Sequence, residues 1–384
     1  MTTPAAAENT YLLPVYPRMG FEPVRGEGVW LETRDGRRLL DLYGGHAVAL
    51  LGYRHPKLIE ALDQQADTLF FQSNAVELAV RAEAGRRLVE LAPAPLTHAF
   101  FVNSGAEANE NALRLAFRST GRSHVVALEG GFHGRTAAAG AATWGADKWY
   151  AFPRKPFDVT FVPRDDESAL TAAITDETAA VIAEPVQGLA GAFPLGKQFL
   201  QTARERCNQT GARLIFDEVQ CGMGRTGEAF GATLYDVRPD ILTTAKGLAG
   251  GFPAGAVLVT SALAEGLPFG ALGTTFGGGP LACALMIAVI EALTAEDVLA
   301  NVRERSREIR ERCQIGPITS IHGEGLLLGL VAKDGAKPVR AALLERGIVT
   351  GGADDPSVVR LLPPLTLESS HVDLLVQALE EIGS

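Results

Sequence analysis

Two charged residues, each following a short apolar run, define the chemistry that this chain could perform. Asp217 follows the run 214–216, and Lys246 comes shortly after the run 241–243. Such runs are typical of buried parallel strands, whose carboxyl ends meet at the sheet edge where open α/β sheets bind ligands. A lysine amine can condense with an aldehyde, and a carboxylate facing a pyridine nitrogen keeps that ring protonated and electron-withdrawing. The pair therefore predicts pyridoxal phosphate between Asp217 and Lys246.

Two other interpretations of this stretch are open. The acid and the lysine could neutralise one another as a buried ion pair with no cofactor between them. Gly222, Gly224 and Gly227 also match the dinucleotide fingerprint, with Asp240 where a ribose-binding acid is expected. We disfavour nicotinamide binding because residues 218–221 separate the strand from the first glycine, and no apolar helical period follows the last one.

The same stretch resembles the core of the class III, or ornithine-type, pyridoxal-phosphate aminotransferases. The resemblance rests on Asp-Glu-Val-Gln at 217–220, Gly-Met-Gly-Arg-Thr-Gly at 222–227 and Ala-Lys-Gly at 245–247. It implies that Lys246 bonds covalently to the cofactor and that Asp217 pairs with the ring nitrogen. It also implies that Val219 and Gln220 lie against the ring and its phenolic oxygen.

A second motif opens a predicted helix after the first strand of the large domain. It reads Asn-Ser-Gly-Ala-Glu-Ala at 103–108, and its small residues leave unpaired N–H groups at the positive end of a helix, which suits a phosphate. On these residues alone, a capping box between Ser104 and Glu107 explains the motif equally well. The family resemblance favours the phosphate and implies that Ser104, Gly105 and Ala106 hold it.

A loop after the second strand, Gly-Phe-His-Gly-Arg-Thr at 131–136, brings an aromatic ring and a cation together. A flat ring can stack on a pyridine, and an arginine can bind a carboxylate through two parallel hydrogen bonds. The resemblance implies that Phe132 stacks on the cofactor and that Arg135 binds the α-carboxylate of the substrate. The plainer interpretation is a core phenylalanine beside a solvated arginine.

Glu184 ends the fourth predicted strand, and a buried glutamate needs a cationic partner. The resemblance to the ornithine-type branch implies that Glu184 pairs with Arg360 while an ω-amino donor is bound, and releases it to a dicarboxylate. Arg360 lies in the segment Val-Val-Arg-Leu-Leu-Pro-Pro at 358–364. We treat this switch as a hypothesis for how one pocket accepts a cation-tailed donor and then 2-oxoglutarate.

A glycine-rich loop with two hydroxyl residues, Gly-Thr-Thr-Phe-Gly-Gly at 273–278, predicts only a turn on its own residues. In similar enzymes this loop crosses a dimer interface, which implies that Thr275 binds the phosphate of the neighbouring subunit and that Thr274 lies near the substrate. An obligatory homodimer with shared active sites follows. His46 departs from the residue usual in the family, which leaves the specificity for the substrate side chain open. Gly279 also departs from the usual residue, which leaves the rigidity of the loop 273–278 open.

The elements that must position these residues form an α/β protein. Seven apolar runs alternate with helical or loop segments, which predicts a seven-stranded, mostly parallel sheet covered on both faces. The resemblance implies the type I fold of PLP-dependent transferases. The runs are 98–102, 125–128, 159–162, 180–183, 214–216, 241–243 and 256–259.

The order of the elements predicts three parts. An N-terminal arm and small sheet at 1–50 pack with the C-terminal domain, a large PLP-binding domain covers 51–294, and a smaller α/β domain covers 295–384. A hairpin is expected near a turn at Asp35-Gly36. Ser73 and Asn74 are expected to cap the helix that precedes the large sheet.

Composition limits the class of protein. The chain has 384 residues, of which 47% are hydrophobic and 21% are charged, and its formal net charge is −10. This charge argues against nonspecific binding to nucleic acid or anionic membranes. The four separated cysteines predict free thiols, no metal site and a cytoplasmic location. Residues 1–10 lack the pattern of a signal peptide, and the longest apolar run, 281–290, falls short of the roughly 20 residues that span a bilayer.

Within the family, Arg135 and the segments 42–47 and 272–278 look most like the acetylornithine aminotransferases of arginine biosynthesis. That likeness implies transamination of N2-acetyl-L-ornithine with 2-oxoglutarate, which gives N-acetylglutamate 5-semialdehyde and glutamate. N-succinylornithine and an ω-amine of a lysine pathway are alternative donors. A class III epimerase or aminomutase and a cofactor-free binding protein are the competing classes of function.

Overall fold

The computed structural model describes residues 4–383. Its strands are β1 Pro23–Glu27, β2 Trp30–Thr33, β3 Arg38–Asp41, β4 Leu96–Val102, β5 His124–Leu128, β6 Val159–Val162, β7 Thr178–Ala183, β8 Val186–Gln187, β9 Phe193–Pro194, β10 Arg213–Asp217, β11 Ile241–Thr244, β12 Gly255–Thr260, β13 Ile318–Glu324, β14 Leu327–Ala332, β15 Ile348–Val349 and β16 Val358–Leu361. Residues 1–3 and 384, at the ends of the first and last predicted parts, lie outside the described residues.

The helices alternate with these strands over most of the chain. They are α1 Pro4–Tyr11, α2 Gly44–Ala47, α3 Pro56–Thr68, α4 Ala79–Leu91, α5 Gly105–Thr120, α6 Ala137–Ala141, α7 Glu167–Ala173, α8 Gly188–Gly191, α9 Lys197–Thr210, α10 Gly231–Tyr235, α11 Ser261–Ala264, α12 Pro280–Ala295, α13 Val298–Arg312, α14 Ala336–Glu345 and α15 Ser369–Gly383, with 3-10 turns at Ala146–Lys148 and Lys246–Ala249.

A seven-stranded sheet forms the centre of the molecule, and its strands are the seven runs predicted from the sequence. Their order is β4-β12-β11-β10-β7-β5-β6. β12 runs antiparallel to β11 and β4, whereas the remaining neighbours are parallel. The α/β class and the mostly parallel sheet are therefore confirmed. Because β10 and β11 are adjacent, with Asp217 opposite Thr243, Asp217 and Lys246 emerge side by side at one edge.

Helices cover both faces of this sheet. α5 packs on one face through small buried residues such as Ala108, Ala112 and Ala116, which let it approach the strands closely. On the other side, α12 is buried along most of its length and packs against α3 and α4. The apolar run 281–290 is therefore a core helix. Among residues 4–383, no helix is long and apolar enough to cross a membrane.

Two smaller sheets connect the ends of the chain. The predicted hairpin forms from β2 and β3, and β15, from the C-terminal region, pairs in parallel with β3 in the four-stranded sheet β1-β2-β3-β15. β13, β14 and β16 form a separate antiparallel sheet. Since the N-terminal strands share a sheet with β15, we propose the same three-part division that the sequence predicts.

The predicted helix cap at Ser73 and Asn74 is wrong. α4 begins at Ala79, and the side chain of Asn74 donates instead to the carbonyl oxygens of Thr274 (3.2 Å) and Gly277 (3.0 Å). A capping residue and a loop-tying residue have the same sequence signature, because both use a short polar side chain to satisfy backbone groups. The distant loop that Asn74 ties down is not visible in the local sequence.

Glu218, which directly follows β10, offers a test of how the end of this strand is held. Its side chain is fully buried, and its two oxygens accept the backbone N–H groups of Gly231 and Ala232 at the start of α10. We expect Glu218→Ala to lower the free energy of unfolding by about 2–4 kcal/mol, because two buried donors lose their acceptor. Urea unfolding measures this, with exposed Glu205→Ala as the control at about 0.5 kcal/mol or less. Equal effects of the two changes would contradict it.

Candidate active site

A cavity of about 420 Å³ lies at the carboxyl ends of the parallel strands, where the motifs were predicted to meet. Its walls include every predicted cofactor residue except Thr275, and two predicted substrate residues. These are Ser104, Gly105, Ala106, Phe132, Arg135, Glu184, Asp217, Val219, Gln220 and Lys246. Thr274, Thr275 and Arg360 are not among the residues that line it.

Asp217 and Lys246 face the same cavity without touching one another. Within residues 4–383 no ion pair joins them, so the buried acid and lysine are not arranged to neutralise each other directly. Lys246 adopts a left-handed backbone with φ of 49°, a conformation that a lysine adopts only when its surroundings enforce it. Burial lowers the pKa of Lys246, opposed in part by the carboxylates of Asp217 and Glu184. A lowered pKa makes the amine a better nucleophile near neutral pH.

Two residues that the sequence analysis did not predict hold the carboxylate of Asp217. Asn109 Nδ2 and His133 Nδ1 each lie 2.7 Å from Asp217 Oδ2. Thr243 Oγ1 in turn donates to Asn109 Oδ1 at 2.7 Å, and the backbone N–H of Val219 donates to Asp217 Oδ1 at 3.1 Å. Because a carboxylate only accepts hydrogen bonds, His133 carries a proton on Nδ1. This network fixes the direction in which Asp217 points.

Neither Asn109 nor His133 had a clear signal in the sequence. Asn109 lies one helical turn after Gly105 on α5. His133 lies between Phe132 and Arg135, and in this motif a role was predicted only for those two residues. A polar side chain on the buried face of a helix does indicate a specific partner. Which partner it has depends on the packing of α5 against β10, and that packing is a tertiary property.

The start of α5 combines helix capping with an anion-binding geometry. Ser104 is the N-cap, and its Oγ accepts the N–H of Glu107 at 3.2 Å, while Glu107 Oε2 accepts the N–H of Asn103 at 2.8 Å. The first N–H groups of the helix, on Gly105 and Ala106, have no acceptor within it, and both residues line the cavity. The two interpretations of this motif are therefore compatible.

On the opposite wall, Glu184 braces the loop that carries Phe132. Glu184 Oε1 accepts the N–H of Phe132 at 2.8 Å, and Oε2 accepts the N–H of Gly188 at 3.1 Å. Burial, and to a lesser extent the charge of Asp217, raise the pKa of Glu184 to about 7. Arg135 is exposed at the rim, with its guanidinium carbon 4.9 Å from the centre of the Trp149 ring.

Arg360 lies behind this wall and is 2% exposed. Its Nη1 donates to the carbonyl oxygen of Gly188 (3.0 Å) and to Gln220 Oε1 (3.3 Å), and its Nε donates to the carbonyl oxygen of Gly352. Among the described residues it makes no ion pair with Glu184 or with any other acid. The predicted Glu184–Arg360 pair is therefore not formed in this structure, and the switch stays a prediction.

The loop 273–278 packs onto the edge of the large sheet. Thr274 Oγ1 accepts the N–H of Gly277 at 3.1 Å and Asn103 Nδ2 at 3.3 Å, which brings Thr274 beside the motif that opens α5. A Cβ on Gly277 would lie 2.3 Å from the carbonyl oxygen of Phe101, so only glycine fits there. Thr275 is exposed and does not line the cavity of its own chain.

The dinucleotide-like glycines have a different use. Residues 220–229 form turns, and the next helix, α10, is short and begins at Gly231. The carboxylate of Asp240 lies 2.8 Å from Arg204 Nη1 and 2.8 Å from the N–H of Leu214, so it holds β10 and β11 in place. This geometry agrees with our rejection of nicotinamide binding.

The cavity fits pyridoxal phosphate. One part presents the N–H groups of Gly105 and Ala106 to an anion, and another presents the amine of Lys246 and the braced carboxylate of Asp217. Neither these N–H groups nor the amine has a hydrogen-bond partner among residues 4–383. The close packing of Gly105 is part of this fit, because a Cβ there would lie 2.7 Å from Val219 Cγ1. The arrangement supplies a phosphate cradle, a nucleophilic amine and a carboxylate to pair with a ring nitrogen.

Comparison with known sequences identifies the family of this chain. The family described as aminotransferase class-III matches residues 14–382. The acetylornithine aminotransferase of Methanocaldococcus jannaschii is 40% identical, over 98% of this chain and 96% of its own length. A Pseudomonas aeruginosa protein named succinylornithine transaminase/acetylornithine aminotransferase is 39% identical, over 95% of this chain and 93% of its own.

Solved structures have the same fold. An ornithine aminotransferase from Toxoplasma gondii, crystallised with partial occupancy of PLP at its active site, superposes with a TM-score of 0.92. It is 27% identical and the match covers 98% of this chain and 92% of that one. The acetylornithine aminotransferase of Elizabethkingia anophelis superposes with a TM-score of 0.85 at 27% identity, covering 98% of this chain and 97% of that one.

Gly105 offers a direct test of the cradle. We expect Gly105→Ala to push Val219 into the cavity and to weaken retention of pyridoxal phosphate about 5- to 150-fold, the range that overpacking of about 1–3 kcal/mol corresponds to. Val219→Ala removes the atoms with which the new methyl group collides. The double variant should therefore retain the cofactor no worse than Val219→Ala alone, as measured by titration of the cofactor followed by its absorbance. A double variant as weak as the sum of both single changes would contradict this packing.

Proposed function

The chain belongs to the class III aminotransferases, and we propose that within this family it transfers the δ-amino group of N2-acetyl-L-ornithine to 2-oxoglutarate. The products are N-acetylglutamate 5-semialdehyde and glutamate, and the reaction is a step of arginine biosynthesis. The observation that carries this proposal is the single cavity in which the amine of Lys246 faces the braced carboxylate of Asp217 beside a helix N-terminus. The choice of donor rests on the relatives that bear the acetylornithine name.

Pyridoxal phosphate is the cofactor, and when bound it supplies an aldehyde for amine exchange and a ring that withdraws electrons from the substrate carbon. We assign Nζ of Lys246 to hold it at rest. Once an incoming amine has displaced Lys246, the freed Nζ would accept the proton of the substrate carbon and deliver it to the former aldehyde carbon of the cofactor. Its lowered pKa suits this role, because the amine must be neutral to accept a proton.

The other residues of the cavity orient the cofactor and keep it in place. We assign Asp217 to the ring nitrogen, Phe132 and Val219 to the two faces of the ring, and Gln220 to the phenolic oxygen. Ser104, Gly105 and Ala106 hold the phosphate through the start of α5, where backbone N–H groups converge. His133 and Asn109 are positioning residues, because they act on the cofactor only through Asp217.

Two arginines are available for substrate carboxylates. Arg135, exposed at the rim, is assigned to the α-carboxylate of the donor. Arg360 is buried, has no acidic partner among the described residues, and is assigned to a carboxylate of 2-oxoglutarate; Thr274 lies on the substrate side. A donor whose α-amine is blocked has only its distal amine free to react, which agrees with a carboxylate clamp far from the reacting carbon.

We also propose a homodimer in which Thr275 reaches the phosphate of the neighbouring subunit. Thr275 lies outside its own cavity, in a loop with exposed apolar side chains around it. Phe276 is 65% exposed and Phe70 is 68% exposed, and the Phe276 ring lies 5.4 Å from that of Phe71. Exposed apolar clusters of this kind are typical of interfaces between chains. The predicted cytoplasmic location stays a proposal based on cysteine usage.

One absorbance experiment separates the competing functions. The purified protein should show the visible band of a lysine-bound cofactor, and N2-acetyl-L-ornithine alone should convert this band, with 2-oxoglutarate restoring it. Racemised donor without loss of its amine would instead favour an epimerase or aminomutase. No band, even after addition of the cofactor, would favour a cofactor-free binding protein. If N-succinylornithine or an acylated lysine converts the band faster than N2-acetyl-L-ornithine does, that compound is the better donor and the reaction is still a transamination.

The predicted switch can be tested on Glu184. If Glu184 controls the availability of Arg360, Glu184→Ala should change the ratio of kcat/KM for glutamate to kcat/KM for N2-acetyl-L-ornithine about tenfold, since one contact between charged groups is lost. If Glu184 only braces the N–H groups of Phe132 and Gly188, both values fall together. An unchanged ratio would therefore contradict the switch.

The shared active site can be tested with a heterodimer of two inactive variants. One chain carries Lys246→Ala and the other carries Thr275→Glu, which places a negative charge against the phosphate. If Thr275 serves the neighbouring subunit, the purified heterodimer contains one complete site and should have about half of the wild-type activity. If Thr275 serves its own chain, both sites are defective and the heterodimer should be as inactive as the two homodimers.

A further inference from the structure

His46 lies in a strained segment next to the active site. Residues 44–47 follow one another in left-handed backbone conformations, with φ of 55°, 55°, 68° and 68°. Glycine adopts this region freely, but for His46 and Ala47 it costs roughly 1 kcal/mol each. Strain of this kind persists where the surrounding structure enforces it, and it is concentrated at functional sites. The segment borders the cavity, because Val48, which follows it, is one of the lining residues.

Tyr43 fixes the direction of the His46 ring. The Tyr43 Oη atom lies 2.6 Å from His46 Nδ1, and the two ring centres are 4.8 Å apart. Tyr43 is itself 7% exposed, and its backbone N–H donates to Asp41 Oδ1 at 2.8 Å. Its ring packs so closely against Gly351 that a Cβ on that glycine would lie 2.2 Å from the ring. Tyr43 therefore acts as a rigid support for the imidazole.

The hydrogen bonds determine which nitrogen of His46 carries the proton. Burial, and then the charges of Arg360 and Lys246, lower the pKa of His46, which favours a neutral ring. Burial raises the pKa of Tyr43, so its hydroxyl keeps its proton. Because this hydroxyl has no other acceptor among the described residues, we assign its hydrogen bond to His46 Nδ1. A neutral imidazole that accepts at Nδ1 carries its proton at Nε2. This Nε2–H group has no acceptor among the described residues.

We propose that the Nε2–H group of His46 donates a hydrogen bond to the amide carbonyl of an Nα-acylated amino donor, and thereby makes His46 a residue that determines donor specificity. This inference deepens the proposed function and rests on it. Lys246 and Arg360 are the charged neighbours of His46, and part of its ring is open to solvent. Its Nε2 lies on the edge of the ring opposite to the one that Tyr43 holds.

The charges around His46 explain why an acyl group fits better than a free amine. Arg360 and Arg135 can each bind a carboxylate, so the neutral N–H donor of His46 suits the remaining acceptor of an acylated donor, its amide oxygen. A donor with a free α-ammonium group would bring a further positive charge beside Arg360 and a ring that cannot accept at Nε2. The site thus selects for acylation both by attraction and by repulsion.

The test compares donors on the PLP-loaded wild-type enzyme and on His46→Phe, which keeps a ring but has no N–H group. We expect the KM for N2-acetyl-L-ornithine to rise about tenfold with little change in kcat, because the hydrogen bond is present before and during the reaction. The KM values for ornithine and glutamate should change less than about twofold. The dissociation constant of N2-acetyl-L-ornithine, from titration of the cofactor band at low temperature, should rise by the same factor as KM.

Two further variants separate the side chain from the backbone. His46→Gly removes the ring and relieves the left-handed strain, and it should reproduce the selective rise in KM. His46→Asn tolerates this backbone conformation and keeps an N–H donor, so it should restore part of the lost affinity. Tyr43→Phe should cause a smaller rise, because the imidazole is then free to change tautomer.

Each outcome decides between the inference and its premise. An equal rise in KM for the acylated donor, ornithine and glutamate, or no rise at all, would overturn the role of His46 while leaving the proposed function intact. If the wild-type enzyme converts no Nα-acylated donor, the proposed function fails and the inference fails with it.

Discussion

The structure depends on a buried amine and a buried carboxylate that are held apart. Lys246 and Asp217 emerge from adjacent strands of one sheet, where a direct contact would be the simplest way to satisfy both. Instead, His133 and Asn109 hold the carboxylate from behind, and the backbone of Lys246 is kept in a left-handed conformation. Leaving both groups facing an open cavity costs free energy, and a cofactor that pairs with each of them recovers it. The rest of the large sheet serves to maintain this separation.

The C-terminal region supports one wall of the same cavity from behind. Four successive carbonyl oxygens of residues 188–191 accept hydrogen bonds from it: Gly188 from Arg360, Leu189 from the N–H of Asp354, Ala190 from the N–H of Asp355 and Gly191 from His322. The same segment donates the N–H of Gly188 to Glu184, which also braces Phe132. A movement of the C-terminal sheet would therefore be transmitted through residues 188–191 to Glu184 and to the loop that carries Phe132. The position of Arg360 and that of Phe132 are mechanically linked in this way.

Much of the fold could be predicted because buried parallel strands are short continuous apolar runs, and all seven were identified within a few residues of their observed ends. Motifs of contiguous residues, such as 103–108 and 217–220, also came together as expected, since each follows a strand of the same sheet edge. Contacts between distant segments could not be predicted in this way. Asn74 looked like a helix cap but ties down a loop 200 residues away, and His133, to which the sequence assigned no role, holds Asp217. The polarity of such residues is visible in a sequence, whereas their partners are set by packing.

The central claim is that Lys246, rather than any other amine, carries the cofactor. The direct measurement is to treat the purified enzyme with borohydride in the presence of pyridoxal phosphate, digest it, and map the modified peptide by mass spectrometry, with Lys246→Ala as the control. We expect one stable phosphopyridoxyl group, on Lys246, and none in the variant. A label on another lysine, or equal labelling of the two proteins, would contradict it.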